Sequence, residues 1–265
     1  MDNLFAKAIK QRYRKILEDL LADLEKARDD PNWKSKTLGT IRGMIQEMEQ
    51  PGGGSPWDFS EQKKLPVLVS DGKITLRPIT DKDQDFFIGV RKEYSDYYKD
   101  LDAKVAREVY VNEACKDQRF YCVIEADNCP VGYIGIIDSS KNLWELVLEL
   151  KKDQCHKGYG TRANILFVRK IAEITGKTQY KSVVEVDNLA SQACMAKLNA
   201  ELIDIENRAF KSEEEAEQFE EEHLDLINDH MIRLASELDV EPRQLLSHVL
   251  DYRIYADRLP DIARI

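Results

Sequence analysis

Glu145 and Glu149 stand four residues apart in LWELVLEL, so the alternation of a strand would put both carboxylates on one face. Beside apolar surface a carboxyl is pushed toward its neutral form, and near pH 7 such a group can take a proton from a substrate; the same pair also reads as two solvent-facing strand residues. The strand runs into Lys151–Lys157, and then Gly158, Tyr159, Gly160 and Thr161 open a segment whose Ile165, Leu166, Val168, Ile171, Ala172 and Ile174 recur at helical spacing. Gly176 supplies the expected C-cap. Glycines between a strand and a helix let the backbone approach a ligand closely, and the unpaired N–H groups of the first turn attract phosphate. Two glycines can also be only a turn. The context favours more: a further strand, Tyr180 to Val186, follows, and then the helical DNLASQACMAKLNAEL.

The loop Cys155, His156, Lys157, Gly158, Tyr159, Gly160 resembles the pyrophosphate loop of the GNAT acetyltransferases, Gln/Arg-x-x-Gly-x-Gly/Ala, in particular the branch of the ribosomal-protein alanine and spermidine acetyltransferases. It departs in having Cys155 where Gln or Arg is usual. A second family element is matched by Val186, Asn188, Ser191, Lys197 and Ala200, with Asn199 in a glycine position, a mild change because Asn tolerates positive φ. The resemblance spans roughly Ile74 to Tyr255, and LRPIT is a typical opening for the branch.

That resemblance implies an α/β GNAT fold: a central, mostly antiparallel sheet with a splayed parallel strand pair. It implies acetyl-CoA as cofactor, with backbone groups of Leu148, Glu149 and Leu150 holding the pantetheine arm. Cys155 to Thr161, that is Cys155, His156, Lys157, Gly158, Tyr159, Gly160 and Thr161, would cup the diphosphate. Asn188 would bond the arm with Ser191 beside it, although Asn188 also reads as a helix N-cap. Glu145, thirteen residues before Gly158, falls where the branch places its strand glutamate, and it or Glu149 is the expected base. The family's tyrosine general acid has no counterpart, since Met195 and Ala196 occupy those positions. Tyr255, with Tyr252, is the candidate left for returning a proton. Cys155 and Cys194 lack the partner a thiol nucleophile needs, so direct transfer is expected.

The elements that must position these residues are read from pattern. Apolar stripes from Leu4 to Leu24 and from Leu38 to Met48 form a helical hairpin over 1–50, followed by a linker over 51–64 that contains PGGGSP. The hairpin reads as a partner or dimer module, with a homodimer through the helical additions as one use, or as a structural appendage. The catalytic domain is expected over 65–265. Ile74, Leu76 and Ile79 mark its first strand; Thr80 or Asp81 caps a helix bearing Phe86, Phe87, Val90 and Tyr94. Tyr94, Tyr97 and Tyr98 either touch the acceptor or pack at a helix end. Phe120 to Ala126 and Val131 to Ile137 form a hairpin turning at Asp127–Asn128. ELIDIEN and Val249 to Ala256 are the last strands, with a helical insertion at about 212–247 between them: one helix, a break near Asp239 to Pro242, and a short second helix.

Composition narrows the function classes. The net charge of −10 argues against a nucleic-acid surface. No apolar run approaches the ~20 residues of a membrane span, and the N-terminus lacks a signal-peptide pattern. Five cysteines without framework spacing suit a reducing, cytoplasmic setting. His223 and His230, seven apart, lack the spacing of helical metal ligands, so no metal is expected. The expected activity is acetyl transfer from acetyl-CoA to a primary amine, either a small molecule or a protein N-terminus or lysine. The alternative is a catalytically silent acyl-CoA-binding protein with a regulatory or interaction role.

Overall fold

The computed structural model describes residues 56–207 and 210–264; the hairpin expected over 1–50 and the start of the linker lie outside the described residues. By contact the chain divides into two units. One comprises Gly52–Leu226 and Arg243–Ile265, and Ile227–Pro242 falls in the other.

The first unit is built on one eight-stranded sheet: β1 (Val69–Ser70), β2 (Ile74–Pro78), β3 (Phe120–Ala126), β4 (Cys129–Ile136), β5 (Trp144–Leu150), β6 (Gln179–Val184), β7 (Glu201–Asn207) and β8 (His248–Tyr255), in the order β1-β2-β3-β4-β5-β6-β8-β7. Neighbours run antiparallel except β5 and β6, which are parallel. At the β3–β4 turn Asp127 and Asn128 both take positive φ, 52° and 60°. That is the geometry of a tight hairpin turn whose twist matches its strands, and Asn and Asp tolerate it. β2 buries Ile74, Leu76 and Pro78 in strict alternation, whereas β3 is buried on both faces from Phe120 to Ile124, as a central strand covered on two sides must be.

Two layers of helix cover β3 to β5. On one face α1 (Gln84–Tyr94) and α2 (Ala103–Tyr110) bring Phe87, Ile88, Val90 and Tyr110 onto Tyr121 and Tyr133, with Phe87 and Tyr133 stacked at 4.6 Å between ring centroids. α2 runs on into a π-helical turn, Val111–Cys115. On the other face α3 (Tyr159–Thr175) buries Ile165, Phe167, Val168 and Ile171, and Phe167, Phe120 and Phe59 stack in a row, 6.1 and 4.5 Å apart. Each such side chain taken fully from water contributes about 1.5–3 kcal/mol. α3 begins after Gly158 (φ 82°) and ends at Gly176 (φ 73°), whose N–H donates to the Ala172 carbonyl.

α4 (Leu189–Lys197) follows β6. It closes on Asn199 at φ 55°, with the Ala200 N–H donating to the Met195 carbonyl and the Asn199 N–H to that of Ala196. This is the left-handed cap in which Asn stands in for glycine. Between β7 and β8 lies α5 (Glu213–Glu222), started by Ser212, whose hydroxyl accepts from the Glu215 N–H. The single helix expected before the break near Asp239 to Pro242 is corrected here. α5 stops at Glu222, and in the second unit Asn228 caps a new helix, α6 (Asp229–Leu238), by accepting from the His230 and Met231 N–H groups. Asn228 offers the backbone an alternative to continuing the helix.

Candidate active site

β5 and β6 pair only over their first halves, Trp144 with Tyr180, Glu145 with Lys181 and Leu146 with Ser182. Beyond that vertex each strand follows its other neighbour: β5 stays on β4 to Leu150, and β6 stays on β8 to Val184. Gly132 lets β4 close up on β5, since a Cβ there would lie 2.3 Å from the Glu149 carbonyl oxygen. A parallel pair opened in this way leaves strand-edge backbone groups facing a gap, ready for an extended ligand.

At the mouth of that gap stands the N-terminus of α3. Its first backbone bond runs from the Arg162 N–H to the Gly158 carbonyl, 3.1 Å. The N–H groups of Tyr159, Gly160 and Thr161 therefore precede the helical ladder and point outward along the helix dipole. Gly158 takes a left-handed φ and His156 does so too, at 62°, which folds the loop tightly around those donors. Lys157 is held back by Gln154, Nζ to Oε1 2.9 Å. The Cys155 thiol donates to the Lys151 carbonyl at 3.5 Å, and the Thr161 hydroxyl donates to Cys194 Sγ at 3.4 Å.

Asn188 performs the N-cap role, its Oδ1 accepting from the Ser191 N–H at 3.0 Å. Among the three β5 residues expected to hold an arm, the Leu150 carbonyl accepts the Tyr94 hydroxyl at 2.6 Å. Burial, then the Cys155 thiol 3.6 Å away, push the Tyr94 phenol well above its usual range.

The two strand carboxylates divide. Glu149 is tied down, with Oε1 accepting from Arg91 Nη1 and Oε2 from the Tyr133 hydroxyl, each at 2.5 Å. Arg91 also donates to the Tyr98 hydroxyl at 2.5 Å and stands 3.2 Å from Glu113 on the π turn. This network, which joins α1, the π turn, β4 and β5, was not legible in the sequence because its members are scattered over almost sixty residues. Tyr98 thus packs within it, while Tyr97 is 64% exposed. Glu145 lies at the vertex, half-buried and opposite Lys181.

Tyr255 is not near the vertex. It pairs with Gln179 at the far end of β6, and its hydroxyl donates to Glu201 at 2.9 Å. The sequence placed it on the right strand, but the antiparallel register of β8 carries its C-terminal end away from the splay. Tyr252, opposite Ser182, is at vertex level, on the face of Leu146. On the opposite face, beyond Lys181, stand Arg253 and Asp251, neither of which the motifs singled out.

A sheet with a parallel pair splayed at one end, and a helix N-terminus with a glycine loop at its mouth, suits a ligand with an extended arm and an anionic end. Residues 73–201 match the family model described as the acetyltransferase (GNAT) domain. The fold is similar to a solved chimera of the spermidine N-acetyltransferase SpeG from Vibrio cholerae and hSSAT, at 13% identity over 70% of this chain and 97% of that one, with a TM-score of 0.50. It also aligns with Mycobacterium smegmatis RimJ in complex with CoA-disulfide, at 15% identity over 72% and 86% of the two chains and a TM-score of 0.48. No curated protein matches the chain. Among the described residues no helix is long and apolar enough to cross a membrane.

Proposed function

We propose that the chain is an acetyl-CoA-dependent N-acetyltransferase that passes the acetyl group directly to a primary amine. The observation that carries this reading is the parting of β5 from β6 after Leu146 and Ser182, with the α3 N-terminus at the open end. The residues present suit coenzyme A. The N–H groups of Tyr159, Gly160 and Thr161, behind a left-handed Gly158, suit a diphosphate. The β5 edge at Leu148 and Glu149 and the Asn188 amide suit the amides of a pantetheine arm. When bound, the cofactor supplies an activated acetyl thioester.

The N–H groups of Tyr159, Gly160 and Thr161 would hold the diphosphate and the β5 edge the arm, and coenzyme A would supply its thioester to a site beside them. There the chain's own work is orientation. The β5 edge and Asn188 fix the arm, and Glu145 places negative charge where an ammonium must approach. Glu149 braces α1 against β5 through Arg91. Holding acceptor and thioester together replaces a bimolecular encounter by a local one and removes much of its entropic cost. The helical additions serve to engage a second copy of the chain or another partner.

Isothermal calorimetry with coenzyme A, followed by thiol release from acetyl-CoA in the presence of primary amines, tests the reading. Binding with amine-dependent thiol release is expected. Binding without release to any amine favours a silent acyl-CoA-binding protein, and absence of binding removes both.

A further inference from the structure

The sheet face that carries Glu145 and Glu149 continues across the vertex as a strip of charge. Paired residues in adjacent strands share a face, so Glu145 on β5, Lys181 on β6 and Arg253 on β8 line up. One step further along β6, Val183 is the first residue past the last β5 pair, and its partner on β8 is Asp251. The Asp251 carboxyl therefore stands level with the point where the two parallel strands part, one strand over from the gap, on the side of α1 and α2. Glu206 and Asp204 approach from β7, and Lys181 bonds Glu206.

The two oxygens of Asp251 differ. Lys181 Nζ lies 3.5 Å from Oδ2, and Arg253 Nη2 lies 3.7 Å from the same atom. Oδ1 is buried and has no hydrogen-bond partner among the described residues. A buried acceptor normally finds a donor, so an unpartnered one beside a ligand gap points to a group the chain does not itself supply. Burial pushes the Asp251 carboxyl above its ordinary range, against the pull of Arg253 and Lys181. Glu149, by contrast, has both oxygens engaged.

We propose that Asp251 takes the proton from the acceptor's ammonium, with Oδ1 as the receiving atom and Lys181 and Arg253 holding Oδ2. This rests on the acetyl-transfer reading above. One proton of the ammonium passes to Asp251, and the freed nitrogen pair forms the bond to the acetyl carbonyl carbon as the carbon–sulfur bond breaks. The second proton lost by the nitrogen ends on the coenzyme sulfur. Asp251 then releases its proton to water.

Two measurements on the full chain test this. In the first, 13C NMR follows the Asp251 carboxyl of the labelled, ligand-free chain through a pH titration, with Asp251→Asn to assign the signal. The midpoint is expected above the usual carboxylate range, and higher still in Lys181→Met, where a neighbouring positive charge is gone. A midpoint in or below that range, or one unmoved by Lys181→Met, overturns the proposal. In the second, thiol release is followed with propylamine, glycinamide and putrescine across pH. Asp251→Asn is expected to lower kcat/KM by about 100-fold or more and to erase the acid limb of the profile, while coenzyme A affinity by calorimetry stays within threefold. Asp251→Glu should restore part of the rate with a shifted limb. An acid limb that survives in Asp251→Asn but vanishes in Glu145→Gln overturns the assignment. So does failure to acetylate any of the three amines by a chain that binds coenzyme A. Failure to bind coenzyme A at all would instead count against the reading beneath it.

Discussion

Arg91 on α1 and Glu149 on β5 meet at 2.5 Å just past the point where β5 leaves β6, and this contact decides which of the two strand glutamates is structural. Glu149→Gln is expected to lower kcat by less than tenfold and to cost stability. Arg91→Ala, which leaves Glu149 and Glu113 without their shared counter-charge, should destabilise by about 2–3 kcal/mol, less than the roughly 3–5 kcal/mol of a fully buried pair because these side chains are partly exposed. Urea denaturation beside steady-state kinetics separates the two effects. A larger loss in kcat than in stability for Glu149→Gln would return that residue to the list of bases.

Gly158 has open space where a Cβ would go, yet its φ is +82°. The cost of Gly158→Ala is therefore backbone strain alone, about 1–2 kcal/mol. Either the loop keeps its shape and stability falls by that amount, or it relaxes and the Tyr159 to Thr161 donors turn away. Coenzyme A affinity by calorimetry should fall in the second case by tenfold or more. Unchanged affinity and unchanged stability together would contradict the geometry.

Asn188 carries two roles that substitution can part. Asn188→Ala loses the cap on α4 and should cost about 1 kcal/mol, together with a raised KM for acetyl-CoA. Asn188→Asp keeps an oxygen for the Ser191 N–H and removes the amide donor. It should hold stability near that of the parent while KM still rises. Equal thermal loss in both variants would argue against the capping role.

Arg77 and Asp83 tie β2 to the start of α1. The guanidinium meets Asp83 at 2.7 and 2.9 Å and Glu125 at 2.8 Å. Burial pushes the Asp83 carboxyl up, but Arg77 and the Thr80 hydroxyl and N–H outweigh it and hold the group below its ordinary value. A carboxylate depressed in the folded state contributes stability that is present above its unfolded pKa, about 3.9, and is lost as pH falls through the folded one. Arg77→Ala should therefore cost about 2–3 kcal/mol at pH 7, and its deficit relative to the parent should shrink below about pH 4. Chemical denaturation of both proteins at pH 7 and pH 3 checks the sign.

Tyr255, at the wrong end of β6 for the reaction, should tolerate Tyr255→Phe with kcat within twofold of the parent. Losing the exposed bond to Glu201 should cost no more than about 1 kcal/mol. A kcat lowered tenfold would put it back in the mechanism.

Much of the site's frame could be read from local chemistry. Gly158 and Gly176 bound α3 because both ends need positive φ, Asp127 and Asn128 make the β3–β4 turn, and Asn188 caps α4. These depend on neighbours within a few residues. The sequence by itself thus determined the strand, the glycine loop and the helix that follow one another at the open end of the parallel pair. The roles of individual acids were decided by the tertiary structure alone. Glu149 is engaged by a guanidinium 58 positions earlier, and Asp251 reaches the vertex only through the register of β8 on β6. Tyr255 is removed from it by that same register. Register across strands far apart in the chain follows from the fit of whole faces, a two-residue repeat that no local pattern can anchor to a distant partner.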